Sequence, residues 1–172
     1  GSDGVTPSAD VLRLTVSGKG VKVETVASLP EGFTPAAAAP YSGKIYVHGA
    51  AGQENALYAY NPSNNAWTSL AACPSRVISE GACLIQKHNG RENAMYLIGG
   101  RGTDETGLHI ATNVWEYLPT HNEWNKKAAF VSEGEPVNLM YSSAVAYGSG
   151  HILVFGGDDG VEVIKRMELE KA

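Results

Sequence analysis

The fold is decided by the stretch Asn93-Ala94-Met95-Tyr96-Leu97-Ile98-Gly99-Gly100, a short apolar run that ends in two glycines. Two related stretches occur in the 172-residue chain: residues 43–50 read Gly-Lys-Ile-Tyr-Val-His-Gly-Ala, and residues 150–157 read Gly-His-Ile-Leu-Val-Phe-Gly-Gly. Each run is too short for a helix and is rich in Ile, Val, Leu and aromatic residues, which predicts a fully buried strand. The glycines let the backbone leave that strand sharply because they have no Cβ. Three copies about 50 residues apart predict a repeat protein.

Composition narrows the class of protein. A hydrophobic content of 43% and a charged content of 18% are ordinary for a globular domain, whereas 20 glycines and 8 prolines are more than a helical protein tolerates. The net charge of -5 argues against a nucleic-acid partner, and no apolar run is long enough to predict a membrane span. Cys73 and Cys83 fit neither a metal motif nor a disulfide framework, which predicts two free thiols.

Strand and turn signals surround the central stretch in a regular order. Alternating residues at 11–16 and 21–26 predict an N-terminal hairpin, and two segments, 51–55 and 101–110, are predicted as loops. The remaining strands are predicted at 35–40, 45–49, 56–60, 66–70, 80–86, 94–98, 112–117, 123–127, 141–147 and 152–155. At residues 162–171 the apolar spacing changes to the period of a helix, which predicts the opening of one there.

A tyrosine and a tryptophan recur after the glycines with a fixed spacing between them. Tyr60 precedes Trp67 by the same interval that separates Tyr117 from Trp124, and each pair spans an Asn-rich or Pro-containing turn. In this order, with Gly99-Gly100 before them, these residues resemble the kelch repeat of β-propellers. The resemblance implies an all-β fold of four-stranded antiparallel blades, with the aromatic pairs packed between blades.

A closer resemblance rests on the run 99–117, on residues 67–72, on the Pro-x-Arg sequence at 74–76 and on the pair at 156–157. These segments are similar to the N-acetylneuraminate epimerases (sialic acid mutarotases), and the N-terminal hairpin resembles the circularly permuted type. The resemblance implies that residues 1–160 are propeller blades: a partial last blade at 1–30, blades at 31–74 and 75–130, and a partial blade at 131–160. It also implies that residues 161–172 open a helical insertion. It further implies a periplasmic or secreted protein that binds sialic acid or a related sugar without a cofactor or metal.

The chain departs from the six-bladed pattern of that family. It supplies two complete blades and the edges of two others, and an open set of blades cannot close a ring. We therefore expect about half of a propeller, completed by the rest of a chain, a second fragment or a symmetric copy. The acid–base Glu and the Arg proposed for the family lie on a Gly-Gly-Glu…Arg loop, whereas the pairs here are followed by Arg101 and Asp158. The catalytic residues consequently remain unassigned.

Candidate ligand-binding residues lie on the loops that face the channel of a propeller. The resemblance implies substrate binding by Arg76, Glu80, Arg101 and Asn138, and further candidates on the same loops are Ser79, Asp104, Glu105, His109, Asp158 and Asp159. Arg76, at the Pro-x-Arg position, suits bidentate pairing with a sugar carboxylate, although bonds to carbonyls of a neighbouring blade are an equal alternative. Two functions stay open: a sialic acid mutarotase that opens and recloses the sugar ring, or a non-catalytic kelch module that binds a protein or glycan.

Overall fold

The computed structural model describes residues 8–30, 32–51, 54–75, 81–86, 92–104, 107–129, 131–137, 139–148 and 150–157. Within these ranges the chain forms antiparallel β-sheets joined by turns and irregular segments, and none of the described residues is helical. The helix predicted from residue 161 onward lies outside the described residues.

The predicted N-terminal hairpin is confirmed. It consists of β1 (Val11–Ser17) and β2 (Gly20–Val26), joined by a tight turn in which Gly18 has a positive φ of 55°. Leu14 pairs with Val23 across the two strands, and both side chains lie on a face that is open to solvent, with exposed fractions of 61% and 55%. The opposite face carries Val11, which packs against the next sheet.

Two four-stranded sheets follow, and in each the strand that comes first in sequence lies at one edge of the sheet. The first blade contains, in sheet order, β3 (Phe33–Tyr41), β4 (Lys44–Ala51), β5 (Glu54–Asn61) and β6 (Ala66–Leu70). Between the second and third strands of the second blade the chain inserts a small hairpin of β9 (Arg101–Asp104) and β10 (Gly107–Ile110). The second blade itself contains, in sheet order, β7 (Ala82–Gln86), β8 (Ala94–Ile98), β11 (Asn113–Leu118) and β12 (Glu123–Ala129).

The first strands of successive sheets lie side by side. A short hairpin of β13 (Val131–Ser132) and β14 (Glu135–Pro136) leads into a final pair, β15 (Ser143–Tyr147) and β16 (His151–Phe155). Strand β7 contacts both β3 and β15. In each sheet the later strands follow this first strand in order, so that they lie progressively farther from it. The sheets are therefore arranged around a common axis, as the blades of a propeller are.

Two segments predicted as loops are hairpins instead. Residues 101–110 form β9 and β10, in which Asp104 pairs with Gly107, and β4 extends to Ala51, which pairs with Glu54. The loop predictions were wrong because neither segment contains an apolar run or a regular alternation, whereas antiparallel strands can be held by backbone hydrogen bonds alone. Gly107, the first residue of β10, has a φ of 116°, which only glycine adopts readily.

Burial of the three related strands depends on their neighbours. All five residues of β8 are buried, as predicted, because β8 lies between two blades. In β16, by contrast, burial alternates, and Leu153 and Phe155 are 42% and 56% exposed. The prediction of a fully buried strand therefore fails for β16, whose outward face has no covering sheet among the described residues.

The aromatic pairs occupy the seams between sheets, as predicted. Ring centroids are 5.0 Å apart in both Tyr60–Trp67 and Tyr117–Trp124. Across the seam between the blades, Tyr46 meets the ring of Tyr117 at 6.2 Å. This seam buries a continuous apolar cluster of Tyr46, Leu57, Ala59, Cys73, Met95, Leu97 and Tyr117.

Candidate functional site

The paired glycines bring two blades together at one face. Gly99 and Gly100 both adopt positive φ, of 66° and 97°, where a Cβ would be strained. A Cβ on Gly99 would also collide with the carbonyl oxygen of Leu139, which lies in the segment leading into β15. That same oxygen accepts a hydrogen bond of 2.9 Å from the Gly100 N–H. The start of the third pair of strands is thus held directly against the end of β8.

This contact places an arginine beside an aromatic ring. Arg101, the first residue of β9, has its guanidinium carbon 5.9 Å from the ring centroid of Tyr141. This distance is within the range of a cation–π interaction. Tyr141 is 54% exposed, and its neighbours Met140 and Ser142 are buried, at 1% and 9%.

The backbone of Tyr141 is unusual. Its φ of 56° lies in the left-handed region, which a bulky side chain rarely adopts. Such strain persists only where the surroundings impose it, and it is concentrated at ligand-binding positions. Burial of the flanking Met140 and Ser142 fixes the backbone on both sides and turns the aromatic ring outward, toward solvent.

A small cavity lies in the seam between the first and second blades. Its volume is about 20 Å³, enough for one water molecule. Small residues form much of the lining, which also includes the imidazole of His48 and the indole of Trp115. The residues lining the cavity are Ala36, Ala37, His48, Ser75, Gly81, Ala82, Leu97, Gly99, Ala111 and Trp115. Gly99 both lines the cavity and contacts Leu139.

His48 is the polar centre of the cavity. Its side chain is only 4% exposed, and its Nε2 has no hydrogen-bond partner among the groups that the structure describes. Burial lowers the pKa of His48 from 6.5 to about 4, so the imidazole is neutral at physiological pH. A neutral imidazole can form a hydrogen bond with a molecule in the cavity, but it carries no charge that would bind an anion.

The residues predicted from the sequence fall into two groups. Arg101, Asp104 and His109 lie on the β9–β10 hairpin, where His109 pairs in register with Gly102. The structure brings Arg101 next to the ring of Tyr141. The other candidates lie outside the described residues: Arg76, Ser79, Glu80, Glu105, Asn138, Asp158 and Asp159.

Sequence reasoning missed Tyr141 and His48. Tyr141 was predicted as the first residue of an ordinary strand, and no local signal reveals its positive φ. His48 did leave a signal. It interrupts an apolar run at the position where the two related stretches have Ile98 and Phe155, and a polar residue at a buried position requires explanation.

Metal binding and thiol chemistry find no support in this part of the chain. Across the described ranges, no three His, Cys, Asp or Glu side chains cluster closely enough to hold a metal ion. The prediction of free thiols is confirmed: neither Cys73 nor Cys83 forms a disulfide. Burial raises the pKa of both thiols to about 12, which keeps them protonated and unreactive. The described ranges also contain no helix of the length and apolarity that a membrane crossing needs.

Comparison with known proteins agrees with the architecture. No protein-family model matches the chain. Over 138 residues the sequence is 26% identical to Kelch-like protein 35 of Mus musculus, an overlap that covers 78% of this chain and 20% of the mouse protein. The solved structure of YjhT superposes with a TM-score of 0.57 at 20% identity, over 83% of this chain and 39% of the YjhT chain. The fold is that of a kelch-type β-propeller.

The chain forms a section of such a propeller, and the predicted fold class is confirmed. The chain is much shorter than either protein: the matched part covers 20% of the mouse protein and 39% of the YjhT chain. The candidate site lies on the face where the chain passes from the second to the third strand of one blade and enters the next. This is the face that the sequence predicted for ligands.

Proposed function

We propose that this face of the propeller binds a sugar that carries a carboxylate, and that the chain is part of a sialic acid mutarotase. The supporting observation is the guanidinium of Arg101 held 5.9 Å from the exposed ring of Tyr141. A guanidinium can pair with a carboxylate through two parallel hydrogen bonds, and an aromatic ring offers an apolar surface to the carbon face of a sugar. Arg76, Glu80 and Asn138 belong to the proposed site as predicted from the sequence.

The chemistry proposed for the complete protein is acid–base catalysis. Interconversion of anomers requires one group to remove the proton of the anomeric hydroxyl and another to protonate the ring oxygen. No position of this sequence matches the acid–base residues of that family, since the paired glycines are followed by Arg101 and Asp158. We therefore assign substrate binding to this section and propose that the acid and the base lie elsewhere in the complete propeller. A periplasmic or secreted location is part of the same proposal.

A second candidate is a non-catalytic kelch module that binds a protein or glycan. It is favoured by the chemical character of the described face, which presents an aromatic ring and a guanidinium. An exposed tyrosine next to an arginine is also typical of residues that dominate protein interfaces.

Binding of N-acetylneuraminate to the 172-residue chain, followed by saturation-transfer NMR, tests the proposal. Arg101→Met should weaken binding by about 10-fold or more, because a charge-assisted pair is lost. Arg13→Met is the matched control, since Arg13 pairs with Glu24 on the N-terminal hairpin. Tyr141→Asn should also weaken binding while preserving the left-handed backbone, which asparagine tolerates.

The ligand set separates the two functions. N-acetylmannosamine, which lacks a carboxylate, should bind more weakly than N-acetylneuraminate. Its affinity should be the same for the unaltered chain and for the Arg101→Met variant. Equal binding of both sugars, or unchanged binding by Arg101→Met, would contradict carboxylate recognition. Binding of N-acetylneuraminate without faster anomer equilibration by the complete protein would favour the non-catalytic module.

A further inference from the structure

Two buried polar side chains are neighbours on the face of the first blade that meets the second. His48 of β4 pairs with Leu57 of β5. In the same pair of strands, Asn55 stands opposite Ala50. Paired residues, and residues two apart on one strand, project their side chains from the same face of a sheet. Leu57 belongs to the apolar cluster of the seam between the blades, so His48 and Asn55 face this seam as well.

Each of these two side chains has one polar atom without a protein partner. His48 is 4% exposed and Asn55 is 5% exposed. Among the described groups, neither Nε2 of His48 nor Oδ1 of Asn55 has a hydrogen-bond partner. A buried polar atom that stays unpaired loses its bonds to water without any replacement. Diagonal neighbours in an antiparallel pair lie about 7–8 Å apart, so one small molecule between the two side chains can reach both.

Other polar groups of this seam bind each other directly. Asn122 accepts hydrogen bonds of 2.8 Å from the N–H of Ala71 and from the hydroxyl of Tyr117. The indole Nε1 of Trp124 donates to the carbonyl oxygen of Ala71 at 2.8 Å. The ring of Trp124 also meets the imidazole of His48 edge-on, with 6.4 Å between the centroids. Because its N–H is bound to Ala71, this indole does not serve as the hydrogen-bond donor for His48.

A β-bulge makes room beside His48. In the pairing of β3 with β4, Pro35 stands opposite Gly49 and Ala37 stands opposite His48. Ala36 is therefore an extra residue that faces no residue of β4 in the ladder. Such a residue leaves backbone groups outside the ladder and disturbs the strand locally. Ala36, Ala37 and His48 all line the cavity of about 20 Å³ in this seam.

The two related strands have neither the histidine nor the bulge. Ile98 in β8 and Phe155 in β16 take the place of His48. The pairings of Ile98 with Ala82 and of Phe155 with Ser143 show no shift of register. An apolar side chain at this position has no polar atom to satisfy. Among the described pairings, the polar side chain and the added space thus occur together in the first blade.

We propose that this cavity is a binding site for one ordered water molecule, which bridges Nε2 of His48 and Oδ1 of Asn55. A cavity of about 20 Å³ admits a single water, and a buried water needs at least two polar partners. The amide oxygen of Asn55 accepts hydrogen bonds, and Nε2 of a neutral imidazole accepts in one of its tautomers. Each O–H of the water can therefore bind one of these two atoms.

The lining of the cavity favours a neutral occupant. Among the described residues, no acidic or basic side chain other than the histidine lines it. A cation would therefore find no carboxylate, and an anion would find no ammonium or guanidinium group. The oxygen of a water can in addition accept a hydrogen bond from a backbone N–H that the bulge at Ala36 leaves outside the ladder. The site requires neither Arg101 nor Tyr141, so it stands apart from the proposed sugar site.

A crystal structure of the 172-residue chain tests the proposal directly. We expect electron density for one water within hydrogen-bond distance of both Nε2 of His48 and Oδ1 of Asn55. In solution, cross-peaks between water and the amide of Ala36 should have opposite signs in NOE and ROE spectra, as they do for a bound water. Absence of the density overturns the proposal, and so does a direct hydrogen bond from either atom to a protein group.

A double-mutant cycle adds a test of the bridge. Once His48→Ile has removed one partner of the water, Asn55→Leu should reduce the folding equilibrium constant at least about 5-fold less than it does in the unaltered chain. Gln86→Leu is the matched control, because Gln86 also has a buried unpaired oxygen but lies on β7 of the second blade. Its effect should add to that of His48→Ile. Additive effects of His48→Ile and Asn55→Leu would overturn the bridge, and the crystal structure decides if a variant fails to fold.

Discussion

At the scale of single residues, His48 shows how one polar side chain in a buried strand makes the stability of the fold depend on pH. The related positions Ile98 and Phe155 are apolar, so the strand itself does not need an imidazole. Burial disfavours the charged form and lowers the pKa of His48 to about 4. The folded protein therefore resists protonation at this site, whereas the unfolded chain takes up a proton near the ordinary pKa of 6.5.

This difference predicts a loss of stability in mild acid. Below pH 6.5 the unfolded state binds one proton more than the folded state at His48, so the free energy of unfolding should fall as the pH decreases toward 4. The loss should reach about 3 kcal/mol at pH 4 and should level off below it. Urea unfolding at pH 7, 5.5 and 4.5 measures this slope. In His48→Ile, which copies the residue of the second blade, the part of the slope due to His48 should disappear.

At the scale of elements, the end of β8 shows that a glycine can be required by its neighbour as well as by its own backbone. Gly99 and Gly43 have similar positive φ values, 66° and 73°. A Cβ on Gly43 would meet nothing within 4 Å, whereas a Cβ on Gly99 would collide with the backbone of Leu139. Comparing the two positions therefore separates conformational strain from the loss of space.

Alanine at these two glycines should have unequal effects. Gly43→Ala should lower the free energy of unfolding by about 1–2 kcal/mol, the cost of a left-handed backbone. Gly99→Ala should cost about 2 kcal/mol more, because the segment at Leu139 must also move. Chemical denaturation of both variants measures the difference. Equal losses would show that Leu139 does not confine Gly99.

Much of this level of structure could be predicted from the sequence. Apolar strands such as β8 and aromatic pairs such as Tyr117–Trp124 were predicted because burial imposes a periodic pattern on side chains. The β9–β10 hairpin was not, because backbone hydrogen bonds hold it together and its side chains are largely polar. The site was only partly predicted. Arg101 lies on a loop face fixed by the repeat, but its contact with Tyr141 depends on a left-handed backbone that no pattern encodes.

At the scale of the whole molecule, equivalent positions differ in burial according to whether another of the described sheets packs against them. Tyr46 and Tyr96, three residues before the glycine in their blades, are 7% and 0% exposed. Leu153 holds the same position in β16 and is 42% exposed. At the opposite end Leu14, which pairs with Val23 as Tyr60 pairs with Trp67, is 61% exposed. Contiguous apolar faces of this kind mark interaction surfaces.

Polar substitution of the exposed residues Leu14 and Leu153 should reduce self-association without unfolding the chain. Leu14→Thr combined with Leu153→Thr should lower both the fluorescence of the dye ANS and self-association in sedimentation, and should change the free energy of unfolding by less than about 1 kcal/mol. Leu57→Thr is the contrasting variant. At 1% exposure this side chain is part of the seam, so its loss should destabilise the fold by about 2–4 kcal/mol.

The hydrogen bonds that Asn122 and Trp124 make across the seam between the blades involve the backbone of Ala71 and not its side chain. Asn122 and Trp124 bind the N–H and carbonyl oxygen of Ala71, groups that every residue except proline offers. A blade can consequently follow any predecessor that presents an extended backbone at that point. Duplication or exchange of whole blades then requires no matching change in the partner at this contact. The fold is in this respect modular. Its repeats can diverge in sequence and change in number, because the same two side chains can bind each added blade to its neighbour.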